Sequence, residues 1–247
     1  MRMITDYHRP ANLDEALDLL NRPGVSSMVI GGGTDLAAQQ IEEQVEVIDL
    51  QAACSKEVSE RDGRVTIGAM VRLQDLIDDG QTPALLRDLA RREGPNTLRN
   101  AATIGGTVAA ADSESELVAG LLVHDATVAV AGLDGETSVR LEELLANREL
   151  AEDRIIVSVT VEGGGVAAAA RTGRTPADTS IVAAVGRATV GRTLFALTGV
   201  AATPVLVTPA EVPNLQPPAD FRGSSEYRRV LAATLIDRVL AEIGGAA

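Results

Sequence analysis

A chain of 247 residues with a formal net charge of −13 and 45% hydrophobic residues has room for one large or two small domains, and is too apolar to stay disordered. Aromatic residues make up only 2% (Tyr7, Phe195, Phe221 and Tyr227), so the core must be aliphatic. The single cysteine, Cys54, excludes an intrachain disulfide and any iron–sulfur cluster or cysteine-rich zinc site built from this chain alone. Two histidines, His8 and His124, leave little for a histidine metal centre or a catalytic triad.

The charge is uneven. Residues 1–162 carry 29 acidic and 14 basic side chains, whereas residues 163–247 carry 6 and 8, a step from −15 to +2 that points to two domains. An acidic surface argues against non-specific nucleic-acid binding, which needs Lys and Arg on phosphates. Lys56 is the only lysine among 22 basic residues. No apolar run reaches the 18 residues of a membrane span, and MRMITDYHRP lacks the apolar stretch of a secretion signal, so a cytoplasmic protein is expected.

In chain order, Asn12 to Glu15 has the form of a capping box opening a helix with Ala16, Leu17, Leu19 and Leu20 on its apolar face and Gly24 at its stop. Strand Ser27–Ile30 runs into Gly31-Gly32-Gly33, then a helix over Asp35–Glu43 and a buried strand over Val45–Leu50: a β–loop–α–β unit. Asp62-Gly63 predicts a hairpin turn between two short strands. Helices follow at 72–78 and 83–92, a glycine-bearing loop at 94–107 and a helix near 114–122. Strands are predicted at 126–131, 137–139 and 154–161, with a short helix at 140–146. Gly163-Gly164-Gly165 is the best linker and coincides with the charge step. Beyond it, paired strands 181–189 and 193–200, a proline-rich loop at 203–218 and a helix at 224–242 complete the chain.

Two motifs carry chemistry. The first is Val29-Ile30-Gly31-Gly32-Gly33-Thr34-Asp35-Leu36, between a strand and a helix. Consecutive amides ahead of a helix N-terminus suit a diphosphate, and glycines let the backbone approach it. The bland reading is a tight β–α turn. The motif is neither a Walker loop nor a clean GxGxxG, and Asp35 caps the helix or bonds a ribose. The second is Thr103-Ile104-Gly105-Gly106-Thr107 after Arg99-Asn100, read alone as a buried turn. Two such loops could clasp one diphosphate from both sides.

These motifs, with Tyr7 to Pro10, Ile67 to Ala69, Leu73 to Leu76, Glu116-Leu117, Gly199 to Pro204 and Ser225 to Arg229, resemble in order the FAD-binding medium subunit of molybdenum hydroxylases, the xanthine dehydrogenase and carbon monoxide dehydrogenase family. The resemblance spans nearly the whole chain. It implies an α+β fold with a two-subdomain FAD-binding domain over 1–163, divided near 53/54. A small C-terminal domain over 164–247 would pack a three-stranded antiparallel sheet on helices. It implies that Val29–Leu36 and Thr103–Thr107 hold the FAD diphosphate. Glu116 would bind the adenosine half, Ile155 or Ile156 would touch the flavin, and Arg171 would lie near the isoalloxazine. It further implies a heteromeric complex, a dimer of heterotrimers, with a small 2Fe-2S iron–sulfur subunit and a large molybdopterin subunit. FAD would pass electrons from the iron–sulfur partner to an acceptor, and no side chain of this chain would be catalytic.

The chain departs from the family pattern at Thr107, at Leu144-Leu145 and at Ala168 to Ala170, where an amide or aromatics are usual. These departures leave the diphosphate grip intact but, with the low aromatic content, open an alternative reading, a scaffold subunit that has lost FAD and redox activity. A stand-alone flavin oxidase is a further rival, disfavoured because no substrate domain with histidine, tyrosine or cysteine chemistry is present. His124-Asp125 ends a helix or forms an acid–base pair.

Overall fold

The computed structural model describes residues 3–35, 44–175 and 178–245. Three sheets organise these residues, and each is built from a different kind of local signal.

The first sheet is parallel, with strand order β1-β3-β2, from β1 (Met3–His8), β2 (Ser27–Ile30) and β3 (Gln44–Asp49). Helix α1 (Leu13–Leu20) connects β1 to β2. Its start is the expected cap: Asn12 Oδ1 accepts from the Glu15 amide at 2.9 Å, while the Glu15 carboxylate reaches back to the Ala11 amide at 2.8 Å. Ala16 and Leu17 are its buried face, against Ile48 and Leu50. Strand β1 was not expected. Residues 4–7 are exposed rather than packed in a core, and the strand exists because its backbone pairs with β3, about forty residues away, which no local pattern reveals. The expected helix over Asp35–Glu43 lies, beyond Asp35, outside the described residues.

The second sheet is antiparallel, of order β4-β5-β8-β6-β7: β4 (Val58–Arg61), β5 (Arg64–Gly68), β6 (Thr127–Gly132), β7 (Gly135–Arg140) and β8 (Ile155–Glu162). Asp62 and Gly63 turn the first hairpin with φ of +53° and +78°, the left-handed pair that a two-residue turn requires. Between β5 and β6 run α2 (Leu73–Asp78), α3 (Ala84–Arg92), α4 (Asn96–Arg99), α5 (Ile104–Ala110) and α6 (Glu116–Val123). Helix α7 (Leu141–Ala146) links β7 toward β8. The segment read as a loop over 94–107 thus holds one short helix and the start of another. Every residue of α6 is buried. Beyond Glu116 it is apolar all round, with Leu117 and Leu121 in the largest aliphatic cluster, and Gly120 presses on Leu89 of α3.

The third sheet is antiparallel, of order β12-β11-β10-β9: β9 (Val166–Thr172), β10 (Val182–Thr189), β11 (Arg192–Thr198) and β12 (Val205–Val207). It is the expected C-terminal antiparallel sheet with a fourth, three-residue edge strand. Helix α8 (Ser225–Gly245) covers one face with Leu235, Ile236 and Val239. On the other side, Val185 and Ala196 join the large cluster that includes α6. The α+β architecture therefore stands. Arg187 of β10, almost wholly buried, donates to the carbonyls of Gly163, Gly164 and Val123, so the glycine stretch is pinned by hydrogen bonds.

Candidate functional site

Strand β2 ends on the first glycine loop, and α5 begins on the second. The two loops touch. A Cβ built on Gly31 would stand 2.5 Å from Thr103 Oγ1, and one on Gly32 would overlap the Ala101 carbonyl oxygen. Both glycines are therefore required by loop-on-loop packing, before any ligand is considered. Gly33 differs: its φ is +68°, and a Cβ there would meet nothing within 4 Å.

The backbone of the two loops is used in opposite ways. In the second, Thr103 Oγ1 caps α5 by accepting from Gly106 at 3.2 Å. Ile104 donates to the Val71 carbonyl and Gly105 to the Ala69 carbonyl, both at 2.9 Å, and Thr107 donates to the Thr103 carbonyl. The amides of that turn are thus all satisfied by protein. In the first loop, the amides of Gly31, Gly32 and Gly33 donate no hydrogen bond among the described residues. Half-buried, adjacent N–H groups without acceptors form a candidate anion cradle.

The cradle opens on adjoining cavities. The largest, about 490 Å³, lies between the parallel sheet and the five-stranded sheet. Val29, Leu50, Met70, Leu144, Ile155 and Ile156 give it apolar walls, Gly31, Thr103, Gly105 and Gly106 form its floor, and Arg148, Glu149, Glu152 and Arg154 stand at its charged edge. A second, about 330 Å³, runs along Ile30, Gly31, Gly32, Gly33, Thr34 and Asp35 to Gly106 and Ala110. A third, about 180 Å³, lies against Gly31, Gly32 and Thr103 on a polar wall that includes Lys56 and Arg72. Apolar walls meeting a row of free amides suit a nucleotide whose flat aromatic part is buried and whose phosphates meet the amides.

Most expected site residues gather here, but not all. Leu36 lies outside the described residues. Ile104 is buried in the core, and Thr107 returns its hydroxyl to the Thr103 carbonyl. Glu116 and Arg171 line none of these cavities. Glu116 is 4% exposed and is held by Arg92 Nη1 at 3.0 Å and Arg171 Nε at 3.2 Å, while Arg171 also donates to the Asp178 carbonyl. The two residues expected at opposite ends of one ligand are paired with each other. Beside them, Glu93 Oε1 accepts from the Leu117 amide at 2.8 Å and from Ser115 Oγ at 3.0 Å. Its carboxyl group is enclosed although the residue keeps some exposure, and that burial pushes it up to about 7 despite these hydrogen bonds. His124 is not an acid–base partner. It is buried, its Nδ1–H donates to the Glu162 carbonyl, and desolvation lowers it to about 4, so it is neutral at pH 7.

Sequence reasoning missed Leu50, Met70, Arg148 and Arg154 as lining residues. The Ile67 to Ala69 block was the available signal, since it delivers Ala69 and Met70 to the cavity wall.

Comparison with known proteins identifies this architecture. Residues 2–161 match the family model described as the FAD binding domain in molybdopterin dehydrogenase. The chain belongs to this family. FAD is accordingly the cofactor, and the free amides of Gly31–Gly33 beside an apolar cavity fit its diphosphate and one of its ring systems. The chain is 30% identical to the protein YgfM of Escherichia coli K12 over 97% of its own length and 96% of that protein. It is 29% identical to the alpha subunit of the 6-hydroxypseudooxynicotine dehydrogenase complex of Paenarthrobacter nicotinovorans, over 63% of this chain and 56% of that one. A chain of carbon monoxide dehydrogenase from Hydrogenophaga pseudoflava superimposes with a TM-score of 0.87 at 23% identity, covering 99% of this chain and 98% of that one, which establishes the shared fold. Among the described residues no helix is long and apolar enough to cross a membrane.

Proposed function

We propose that this chain is the electron-transferring FAD subunit of a multisubunit, cytoplasmic molybdenum hydroxylase. The observation that carries the reading is the row of unengaged amides at Gly31–Gly33, opening on an apolar cavity in a chain of this family. Bound FAD would supply the redox chemistry, taking electrons from a 2Fe-2S partner subunit and yielding them to an acceptor. The single cysteine supports this division, because residues 1–247 cannot by themselves supply the cysteine ligands of a 2Fe-2S cluster. The chain is not catalytically complete alone, and the assembly is a dimer of heterotrimers with the iron–sulfur and the large molybdopterin subunits. The FAD-binding domain spans 1–163, in subdomains that divide near 53/54, and a C-terminal domain spans 164–247.

Within this chain the residues bind and position. The amides of Gly31–Gly33 receive the diphosphate. Val29, Ile155 and Ile156 exclude water from the buried ring, and Thr103, Gly105 and Gly106 form a wall rather than donors. Glu116 and Arg171 lie outside this contact set, because each already satisfies the other's charge. Their closed ion pair is the observation favouring the second reading, a scaffold without FAD.

A spectrum separates the two. Purified protein should be yellow or take up added FAD, with FAD as the nucleotide released on denaturation. A colourless protein that refuses FAD supports the scaffold. Copurification of the complex without iron–sulfur or molybdenum would sink the electron-transfer role.

A further inference from the structure

Four basic side chains line the three cavities at the glycine loops: Arg148 and Arg154 on the largest, Lys56 and Arg72 on the smallest. The first two are committed. Arg148 donates to the carbonyls of Val108 and Ala109, and Arg154 pairs with Asp134 at 2.7 Å. Lys56 and Arg72 make no side-chain hydrogen bond and no ion pair among the described residues. The wall they share also differs in sign. The largest cavity has Glu149 and Glu152, and the middle one has Asp35, but no acidic side chain lines the third. In a chain of net charge −13 this is a local concentration of uncompensated positive charge, and it adjoins the free amides of Gly31 and Gly32.

The fold holds both residues there. Ser55 and Glu57, on either side of Lys56, accept backbone hydrogen bonds from Met70 and Gly68. Arg72 forms a backbone bridge to Thr103, the residue packed on Gly31. Neither placement serves packing, since both side chains are exposed.

We propose that Lys56 and Arg72 are the cationic partners of a diphosphate seated on the Gly31–Gly32 amides, and hence a recognition element for the FAD diphosphate. The inference rests on the FAD reading above and extends it. These amide donors carry only partial charge, and the second glycine loop contributes none of its amides. Two full positive charges without partners complete the neutralisation of a doubly charged group.

Because Lys56 is the only lysine, its chemistry can be read directly. The full-length protein is treated with an amine-acylating reagent, and peptide mass spectrometry follows Lys56 separately from the α-amino group. FAD and inorganic pyrophosphate should each protect Lys56, and riboflavin, which lacks phosphate, should not. K56Q and R72Q should each weaken FAD binding about three- to tenfold in fluorescence titrations, and high salt should weaken the wild type more than the double variant. Unchanged melting temperatures verify that the variants fold. Wild-type protein that binds FAD while Lys56 acylates at its free rate, or a double variant with unchanged affinity, overturns this inference and leaves the FAD reading intact. Protection by pyrophosphate in a protein that refuses FAD upholds the anion site and overturns the FAD reading. Failure of both ligands to bind overturns both.

Discussion

The two glycine loops carry nearly the same sequence signature and do opposite things. Gly31–Gly33 leave their amides without acceptors, whereas the amides of Ile104 to Thr107 are spent on Ala69, Val71 and Thr103. On the proposed reading one loop is the binding surface, and the other is the structural wall packed against it. The difference arises from what lies behind each. Loop Gly31–Gly33 follows the edge strand β2 and faces a cavity, while Thr103 to Thr107 lies against the backbone after β5, which supplies carbonyl acceptors. A glycine pair ahead of a helix therefore marks close backbone approach, and only the neighbouring acceptors decide whether the approach is to protein or to ligand.

Substitutions can break this comparison. The largest effect is expected at contacts between backbones. Gly32→Ala drives a methyl into the Ala101 carbonyl, and Gly105→Ala places one 2.8 Å from the Ala69 Cβ. Each should cost about 3 kcal/mol, roughly 10 °C of melting temperature by calorimetry. Folded Gly105→Ala protein should then bind FAD almost normally. Loss of FAD by a well-folded Gly105→Ala variant would reverse the assigned roles.

Helix α6 gives a third case, whose N-terminal amide at Leu117 is filled by a titratable group, Glu93. Burial raises Glu93 from 4.5 in the unfolded chain to about 7 in the fold, so the fold favours its protonated form. Its contribution is full below pH 4.5 and fades as pH rises through 7, on the order of 3 kcal/mol. His124 has the opposite slope. Its fall from 6.5 to about 4 makes the fold favour the neutral ring, so stability is lost as pH drops from 6.5 toward 4. Between pH 4.5 and 6.5 the two slopes offset. Between pH 4.5 and 6.5, denaturant titrations of E93Q should expose a stability that rises with pH, and those of H124N one that falls. A flat profile for both variants would show that neither group titrates as described.

Smaller effects sharpen the contrast. Gly33→Ala carries the strain of a positive φ, about 1 kcal/mol, yet its methyl meets no protein atom within 4 Å. Its damage should appear in FAD affinity more than in melting temperature. Thr103→Val keeps the shape that Gly31 packs on and removes only the cap on Gly106, at a cost of about 1 kcal/mol in stability.

Much of this molecule is legible from its residues. The Asn12 cap, the Asp62-Gly63 turn, the buried helix Glu116–Val123 and the strands around Val190 to Arg192 follow from short-range geometry and periodicity, and appear as expected. The family follows too, because its motifs recur in order along the chain. What escaped is non-local. Strands Met3–His8, Val166–Thr172 and Val205–Val207 exist through partners distant in sequence or through edge pairing; the alanine run of the second and the three-residue length of the third give little local signal. The site shows the same division. Sequence marked the glycines at 31–33 and 105–106, since backbone freedom is written in residue type. Whether their amides are free, that Glu116 closes on Arg171, and that Lys56 and Arg72 stand uncommitted beside Gly31 were decided by tertiary structure alone. Hydrogen-bond acceptors and counter-charges are supplied across the fold, by residues tens of positions away, and no window of sequence contains them.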